Sequence, residues 1–406
     1  MKRIYFSIIS EFPNNVIRSQ TIEYLYKMKE EKGLNFKLII LMSFVPLIKR
    51  RKELKKILDD YKKNYGIETI IFPVLRNHFI ASSYIGFLLL SIFFFKYRNY
   101  KIVIHARGGF ASNVCSKLKK IYSNLSYVCD FRGDYEAENK FNLQRIKASK
   151  LKIKITDYLF PKFLKQSLRN SDKIICVSNK LKKLIIEKYD ANSDIIFVMP
   201  CLADEETFYY DEEIRKKTRR RLNIEDKFAF IYAGGIGSWR YSDAVFQVIS
   251  DIKKKFENIF FIVLTPNEKE AQNYSKKYFD DKDIFIAKAS KNEVFEYLNA
   301  ADMGVLLREY DPLNIVASPT KFAEYYLTGL PAIISENIGD YSELVQKENI
   351  GIVLSSSLSQ KEYLSKFENY LNKKEKVDRS FLSCKAKNLL SKKIYIDKLC
   401  EIYTTI

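Results

Sequence analysis

Short apolar runs and longer amphipathic stretches alternate along the chain in two successive series. The series open at Arg3–Ser10 and Phe228–Gly235, where an apolar run ends in a polar or glycine turn before a helical pattern. Further strands are predicted at Lys37–Met42, Thr69–Phe72, Lys101–His105, Ser126–Asp130, Lys173–Ser178, Ile195–Met199, Ile259–Thr265, Asp283–Ala287, Met303–Leu307, Ala332–Ser335 and Gly351–Leu354. Strands that alternate with helices predict parallel sheets with helices on both faces. Two such series predict an α/β protein with two Rossmann-like, doubly wound domains.

The polar segment Leu202–Arg221 separates the two series, and we place the join just after Pro200. The predicted domains are residues 1–203, rejoined by a C-terminal helix at about 385–406, and residues 204–384. Doubly wound sheets bind ligands beyond the carboxyl ends of their strands. Two such domains that face each other therefore predict a ligand in the cleft between them.

The longest apolar run, Phe79–Phe95, is close to the shortest helix that can span a bilayer. It contains three serines and a tyrosine, and a predicted strand follows it. These features favour a buried helix over a helix that dips into a membrane. The six cysteines form no C-x-x-C pair, and with two histidines they predict neither a zinc site nor a disulfide framework. A reducing cytoplasm fits this usage.

Positive charge is concentrated in the first half of the chain. Residues 1–200 contain 38 lysines and arginines against 17 aspartates and glutamates, whereas residues 201–406 contain 31 against 32. An excess of this kind indicates nucleic acid, an anionic membrane or an acidic substrate as a partner, although a compositional drift towards lysine remains an alternative. Cations interleaved with apolar residues in Lys147–Leu168 favour an interfacial helix.

The segment Ala317–Pro331, ASPTKFAEYYLTGLP, precedes a predicted strand and resembles the nucleotide-sugar signature of glycosyltransferase family 4. The resemblance implies that Ser318, Pro319 and Thr320 open a helix whose backbone N–H groups face a diphosphate. It also implies that Lys321 adds a cation and that Glu324 accepts hydrogen bonds from the ribose hydroxyls. Gly329 and Pro331 are expected to end the helix. An amphipathic helix with an exposed Lys–Glu pair is the structural alternative.

Two departures from the family pattern bear on the donor site. Many members have a glutamate eight residues before the second one, whereas this chain has Val316, which leaves the donor sugar open. The segment Ile231–Arg240, IYAGGIGSWR, resembles the family's glycine turn, where Gly234 and Gly235 let the backbone approach the phosphates. Arg240 stands at the position of the usual cation, and Gly235 replaces the arginine that often follows the first glycine.

Four charged or titratable residues follow two predicted strands of the first domain. His105 and Arg107 end one strand in IHARGG, and Asp130 and Arg132 end the next in DFRG. Because ligands bind at such strand ends, these residues are candidates for lining an active site. A buried ion-pair network that serves only the fold is the alternative.

The resemblance implies a GT-B fold and a retaining transfer of a sugar from a nucleotide-diphosphate sugar to a lipid-linked or polysaccharide acceptor, in bacterial surface-glycan assembly. Fixed cations would stabilise the leaving diphosphate, so neither a metal nor another cofactor is expected. The basic first half implies a peripheral position on the inner face of the cell membrane. No nucleic-acid partner is expected, because the sequence contains no legible nucleic-acid-binding module. A GT-B nucleotide-sugar epimerase and a basic nucleic-acid-binding protein are the rival functions.

Overall fold

The computed structural model of the chain describes residues 1–75, 79–236, 242–373 and 377–406. It forms two compact units, the first of residues 1–200 with 395–406 and the second of residues 201–394. Every predicted strand is present among the described residues, and each of the two units has one sheet of parallel strands. The α/β prediction with two doubly wound sheets is therefore confirmed.

The first unit has a seven-stranded sheet in the order β3-β2-β1-β4-β5-β6-β7. Its strands are β1 Arg3–Ile9, β2 Phe36–Ser43, β3 Thr69–Val74, β4 Lys101–Arg107, β5 Leu125–Phe131, β6 Lys173–Cys176 and β7 Ile196–Val198. The order changes direction between β1 and β4, which is where a doubly wound sheet offers a binding crevice at its carboxyl edge.

Helices on both faces cover this sheet. They are α1 Asn15–Ile17, a π-helical turn Arg18–Ile22, α2 Glu23–Lys32, α3 Phe44–Lys49, α4 Arg51–Tyr65, α5 Phe79–Phe95, α6 Gly108–Leu118, α7 Tyr135–Arg145, α8 Lys150–Arg169 and α9 Asn179–Tyr189, followed by a 3-10 turn at Ser193–Ile195. Helix α6 packs against both α5 and α8, so these three helices lie side by side.

The second unit has a six-stranded sheet in the order β10-β9-β8-β11-β12-β13. Its strands are β8 Phe228–Ala233, β9 Ile259–Leu264, β10 Ile284–Ala287, β11 Met303–Leu306, β12 Ala332–Ser335 and β13 Gly351–Leu354. Its helices are α10 Glu212–Leu222, α11 Ser242–Lys255, α12 Glu268–Tyr278, α13 Lys291–Ala300, α14 Pro312–Ile315, α15 Thr320–Leu327, α16 Tyr341–Lys347, α17 Gln360–Leu371 and α18 Arg379–Leu390, with a 3-10 turn at Asp281–Asp283. Aromatic residues, among them Phe230, Phe246 and Phe367, fill the core on one side of the sheet.

The last helix, α19 Lys392–Thr405, begins in the second unit and ends in the first. Residues from Tyr395 onwards belong to the first unit, whereas the sequence favoured a return at about residue 385. Ile396, Leu399 and Tyr403 of α19 are buried there, and the Arg3 guanidinium donates to the carbonyls of Tyr403 and Thr404.

Helix α5 has the bounds that the apolar run predicts, but only part of it is buried. Leu90 and Phe94 are fully enclosed, while Leu88 and Ile92 face outwards. The buried-helix interpretation is therefore correct for one face of α5 and wrong for the other. Among the described residues, the structure contains no helix that is both long and apolar enough to cross a membrane.

Candidate functional site

In the second unit, the start of α15 lies at the carboxyl edge of the sheet, between β11 and β12. Ser318 is buried just before the helix, and its hydroxyl accepts a hydrogen bond from the Cys201 N–H at 2.8 Å and contacts the Tyr341 hydroxyl at 2.8 Å. Ser318 therefore fixes the turn. Pro319 occupies the N-cap position and supplies no side-chain cap. The Phe322 N–H donates to the Pro319 carbonyl at 3.0 Å, so the N–H groups of Thr320 and Lys321 are the ones left to meet an anion.

Lys321 and Glu324 lie one turn apart on α15 and pair with each other. Lys321 Nζ donates to Glu324 Oε2 at 2.7 Å, and the two side chains are 33% and 13% exposed. No described residue donates to the other carboxylate oxygen, Oε1, so the carboxylate keeps an acceptor for further donors. The pair has the spacing of the structural alternative, but Glu324 is more enclosed than a surface helix pair.

The remainder of the α15 motif is structural. Tyr325 is buried against β8 and β11, where its hydroxyl accepts from the Ala233 N–H at 3.3 Å and donates to the Val305 carbonyl at 3.4 Å. Gly329 adopts a left-handed φ of +63°, and a Cβ there would lie 2.0 Å from the Arg379 carbonyl oxygen. The expected helix end at Gly329 and Pro331 is therefore confirmed, since α15 stops at Leu327 and β12 starts at Ala332.

The glycine turn after β8 is held by two side chains that the sequence reasoning did not single out. The Tyr232 hydroxyl donates to the Gly235 carbonyl at 2.6 Å, and the Ile236 N–H donates to Asn267 Oδ1 at 3.1 Å. Gly234 has no positive φ, and a Cβ there would meet only the Tyr232 ring at ordinary contact distance. The fold itself therefore does not require glycine at 234, which is consistent with room kept for a ligand. Arg240 lies outside the described residues.

Val316, at the position where many relatives have glutamate, is buried and offers no polar group. The sequence reasoning missed one cation at this edge of the sheet. It is Arg308, which follows the carboxyl end of β11. Its Nη1 donates to Asn314 Oδ1 at 3.0 Å, and its backbone N–H donates to Ser335 Oγ at 2.9 Å. The only sequence signal for Arg308 was its place two residues after a short strand.

In the first unit, the four predicted residues at the ends of β4 and β5 form one cluster around Asp130. The carboxylate is fully buried; its Oδ2 lies 3.2 Å from His105 Nε2 and 3.5 Å from Arg107 Nη1, and its Oδ1 lies 2.7 Å from Arg132 Nε. Burial alone would raise the pKa of Asp130, but Arg132, His105 and Arg107 together hold it well below its usual range. Asp130 is therefore ionised at neutral pH, and its single negative charge is shared between the guanidinium groups of buried Arg107 and partly buried Arg132.

His105 is held from both sides. Its Nδ1 lies 2.6 Å from the hydroxyl of Tyr403 on α19, while its Nε2 faces Asp130. Which of His105 Nδ1 and the Tyr403 hydroxyl donates depends on the tautomer of the ring. Both ring nitrogens are thus engaged, and the ring connects the C-terminal helix to the sheet. Tyr403 lies too far along the chain from residue 105 for sequence spacing to have identified it.

Arg107 is the member of the cluster with unused donor capacity. It is buried, its Nη1 donates to the Gln20 carbonyl at 3.4 Å, and its Nε lies 4.0 Å from the Glu11 carboxylate. The Nε has no hydrogen-bond partner in the described structure. Buried donors of this kind are normally satisfied. Because Nε itself has almost no accessible surface, a substrate oxygen could reach Arg107 only at the outer nitrogens of its guanidinium group.

A cavity of about 600 Å³ opens at the same carboxyl edge of the first unit, beyond β1, β2 and β3. It is lined by Ser10, Leu41, Ser43, Val74, Leu75, Ser82, Phe110, Asn139, Asn142, Leu143, Arg145, Ile146, Lys152 and Thr156. Arg145 and Lys152 form no ion pair with any described carboxylate. Two cations, several amides and hydroxyls, and an apolar wall suit an anionic ligand with an apolar part.

Comparison with known proteins finds a family match within the second unit. Residues 214–381 match the family described as Glycosyl transferases group 1. A phosphatidylinositol N-acetylglucosaminyltransferase GPI3 subunit of Saccharomyces cerevisiae is 25% identical over 225 residues, which are 50% of this chain and 48% of the yeast protein. The chain thus spans about half the length of the curated relatives it matches.

Solved structures resemble the whole chain. A glycosyltransferase from Rickettsia africae superposes with a TM-score of 0.69 at 15% identity, covering 100% of this chain and 98% of the other. Anabaena HepE in complex with UDP gives 0.69 at 12% identity, covering 100% of both chains. The lipopolysaccharide outer core galactosyltransferase WaaB gives 0.69 at 10% identity and 99% coverage of both. The two α/β units therefore have the GT-B fold, and residues 214–381 form a domain of the glycosyl transferases group 1 type.

Proposed function

We propose that this protein transfers a sugar from a nucleotide-diphosphate sugar to a lipid-linked or glycan acceptor, as a retaining enzyme of glycosyltransferase family 4. The observation that supports this most directly is the start of α15, where uncapped backbone N–H groups, Lys321 and Glu324 come together within a group 1 domain. The donor's diphosphate would meet the N–H groups and the lysine, and its ribose would meet the carboxylate.

The leaving diphosphate gains negative charge as the bond to the sugar breaks. Lys321, Arg240 and the amides at the start of α15 would stabilise that charge, and Arg308 adds a further cation at the same edge of the sheet. Fixed cations of this kind replace a metal ion, so we propose a metal-independent reaction. In a retaining transfer of this type the leaving phosphate takes the acceptor proton, and the protein supplies position and charge rather than a nucleophile.

The acceptor is proposed to bind the first unit, where the Asp130 cluster and the 600 Å³ cavity share the carboxyl edge of one sheet. Arg107 would meet an acceptor oxygen through the outer nitrogens of its guanidinium group, with Asp130 and His105 as positioning residues. Arg145 and Lys152 suit a phosphate in the cavity, and its apolar wall suits the start of a lipid chain.

Surface-glycan assembly at the inner face of the cell membrane is the setting that we propose. GPI3 is a subunit of a phosphatidylinositol N-acetylglucosaminyltransferase, and WaaB is a lipopolysaccharide galactosyltransferase. The names of these two similar proteins indicate acceptors that are attached to lipid. The basic first half of the chain supports the same setting, because clustered cations attract an anionic leaflet.

The test is to incubate the purified protein with a panel of nucleotide-diphosphate sugars, with and without a lipid-phosphate-linked acceptor and with and without EDTA. We expect one donor to release its nucleoside diphosphate in an acceptor-dependent manner that EDTA does not change, with the product's anomeric configuration matching that of the donor by NMR. Interconversion of two nucleotide-sugars without an acceptor would instead support an epimerase. Specific nucleic-acid binding at physiological salt, with no donor turnover, would support the non-enzymatic alternative.

A further inference from the structure

Helix α5 presents an uncovered apolar stripe on the outside of the first unit. The stripe consists of Tyr84, Leu88, Ile92 and Phe95, which are 55, 58, 78 and 62% exposed. Spacings of three and four residues place these side chains on one helix face. A helix that is apolar on every side is normally enclosed by protein or lipid. The described part of the first unit leaves this stripe uncovered, so we expect another molecule or a lipid phase to cover it.

Helix α8 adds a second stripe, made of Leu151, Ile155 and Tyr158 at 69, 47 and 65% exposure. The two helices lie on either side of α6, where the Lys117 ammonium is 5.0 Å from the Tyr84 ring of α5 and 5.4 Å from the Phe163 ring of α8. Ser82 of α5 and Thr156 of α8 also border the same cavity. The two stripes together form the apolar surface of the first unit.

Positive charge surrounds the apolar surface, and negative charge is nearly absent from the segments that form it. No aspartate or glutamate occurs between Glu68 and Asp130, although that stretch contains eight lysines and arginines. A second acid-free stretch, between Glu138 and Asp157, contains six. The exposed cations close in sequence to the stripes are Lys96, Arg98, Lys147, Lys150, Lys154 and Lys162, and the exposed Asp157 is the one acid within the second stripe. Lys120 is also exposed and follows α6, the helix between α5 and α8.

We infer that the apolar surface inserts into the interfacial region of a bilayer that contains acidic lipid, while the surrounding cations contact the lipid head groups. An apolar face bordered by lysine and arginine is the arrangement that binds such bilayers. The charge argues against a second copy of this chain as the occupant, since a two-fold interface would bring the same cations together.

The manner of insertion follows from the packing of α5. One side of the helix is fixed in the protein along its length by Gly86, Leu90 and Phe94, so the helix lies in the plane of the interface and does not cross it. The lysine stems can extend along apolar surface while their ammonium groups reach the head groups. This inference deepens the proposed function. It rests on that function in one respect, which is that docking would bring the enzyme to a membrane-held acceptor.

The test is co-sedimentation of the full chain with vesicles of phosphatidylcholine alone or with one-quarter phosphatidylglycerol, across a salt series. We expect strong binding to acidic vesicles. A fraction of the protein should stay bound at high salt, because the hydrophobic contribution to binding is not screened by salt. The double substitution Leu88→Gln with Ile92→Gln should reduce the partition coefficient at least about tenfold at every salt concentration. Lys96→Gln with Lys120→Gln should remove mainly the salt-sensitive part.

The matched control is Leu371→Gln with Phe381→Gln, which alters two exposed apolar residues of the second unit and should leave vesicle binding unchanged. Wild-type binding by the Leu88/Ile92 variant would overturn the inference, and so would absence of binding by the wild type. Conversion of a dimer to a monomer by that variant, with vesicle binding retained, would assign the surface to a second copy instead.

Sugar transfer to a water-soluble acceptor separates the two proposals. The Leu88/Ile92 variant should keep the wild-type rate in that assay, because neither residue belongs to the donor or acceptor site. If the wild type binds vesicles as described but transfers no sugar from any donor, the docking surface stands and the proposed function fails. If transfer occurs but the vesicle results contradict the expectation, only the docking surface fails.

Discussion

Replacement of Glu324 by alanine should separate a ligand-binding carboxylate from an ordinary helix pair. An i,i+3 ion pair on a helix contributes about 0.2–0.5 kcal/mol, and the 2.7 Å Lys321–Glu324 pair is partly exposed, so its loss should lower the free energy of unfolding by less than about 1 kcal/mol. A hydrogen bond from a ribose hydroxyl to the charged carboxylate contributes about 1.5–3 kcal/mol. The affinity for a nucleoside diphosphate should therefore fall roughly 10- to 150-fold.

The affinity is measured by calorimetry with UDP and GDP as probes, and the unfolding free energy by urea denaturation of the same preparations. Glu213→Ala is the matched control, because Glu213 forms an i,i+3 pair with Lys216 at 3.2 Å on α10 and has no proposed part in binding. The control should lose a similar amount of stability and no nucleotide affinity. If folded Glu324→Ala binds both nucleotides as the wild type does, the carboxylate does not hold the ribose and the donor site must be reassigned.

Three further outcomes are expected. Lys321→Ala and Arg240→Ala should each reduce kcat by a larger factor than they raise KM, because leaving-group charge grows towards the transition state; steady-state kinetics that show wild-type kcat for both would move the phosphate site elsewhere. Asp130→Asn should lower the free energy of unfolding by about 3–5 kcal/mol, measured by urea denaturation, because it leaves buried guanidinium groups uncompensated. The depressed pKa of Asp130 means that its ion pairs stabilise the fold above about pH 4 and lose this effect as the pH falls further, so the wild type should lose stability with acid more steeply than Asp130→Asn.

The strands were predictable because each is a short apolar run, and strands inside the sheets such as β5 and β9 are buried on both faces, which leaves a clear signal in the sequence. The ends of α15 were predictable for a related reason, since Gly329 has a backbone conformation that few other residues adopt. The exposed side of α5 was not predictable, because a helix that is apolar all round carries no periodicity to tell its inner face from its outer face.

Contacts between distant parts of the chain account for most of what sequence reasoning missed at the site. The hydroxyl of Tyr403 meets His105 across almost 300 residues, and Asn267 fixes the glycine turn from the end of a neighbouring strand. Neither tyrosine nor asparagine is unusual in such places, so no local pattern distinguishes them. The cluster of His105, Arg107, Asp130 and Arg132 could be located because all four lie at the carboxyl ends of strands that are neighbours in the sheet.

The route of α19 has a consequence for synthesis of the protein. The first unit includes residues 395–406, so the segment that completes it leaves the ribosome only after the second unit has been made. Until then, the nascent first unit lacks the side chains of Ile396, Leu399 and Tyr403, and the surface that they cover stays open while the second unit is being made. A fragment that stops at Pro200 would remain in that unfinished state, whereas the same fragment supplied with residues 395–406 through a short linker should form a closed first unit.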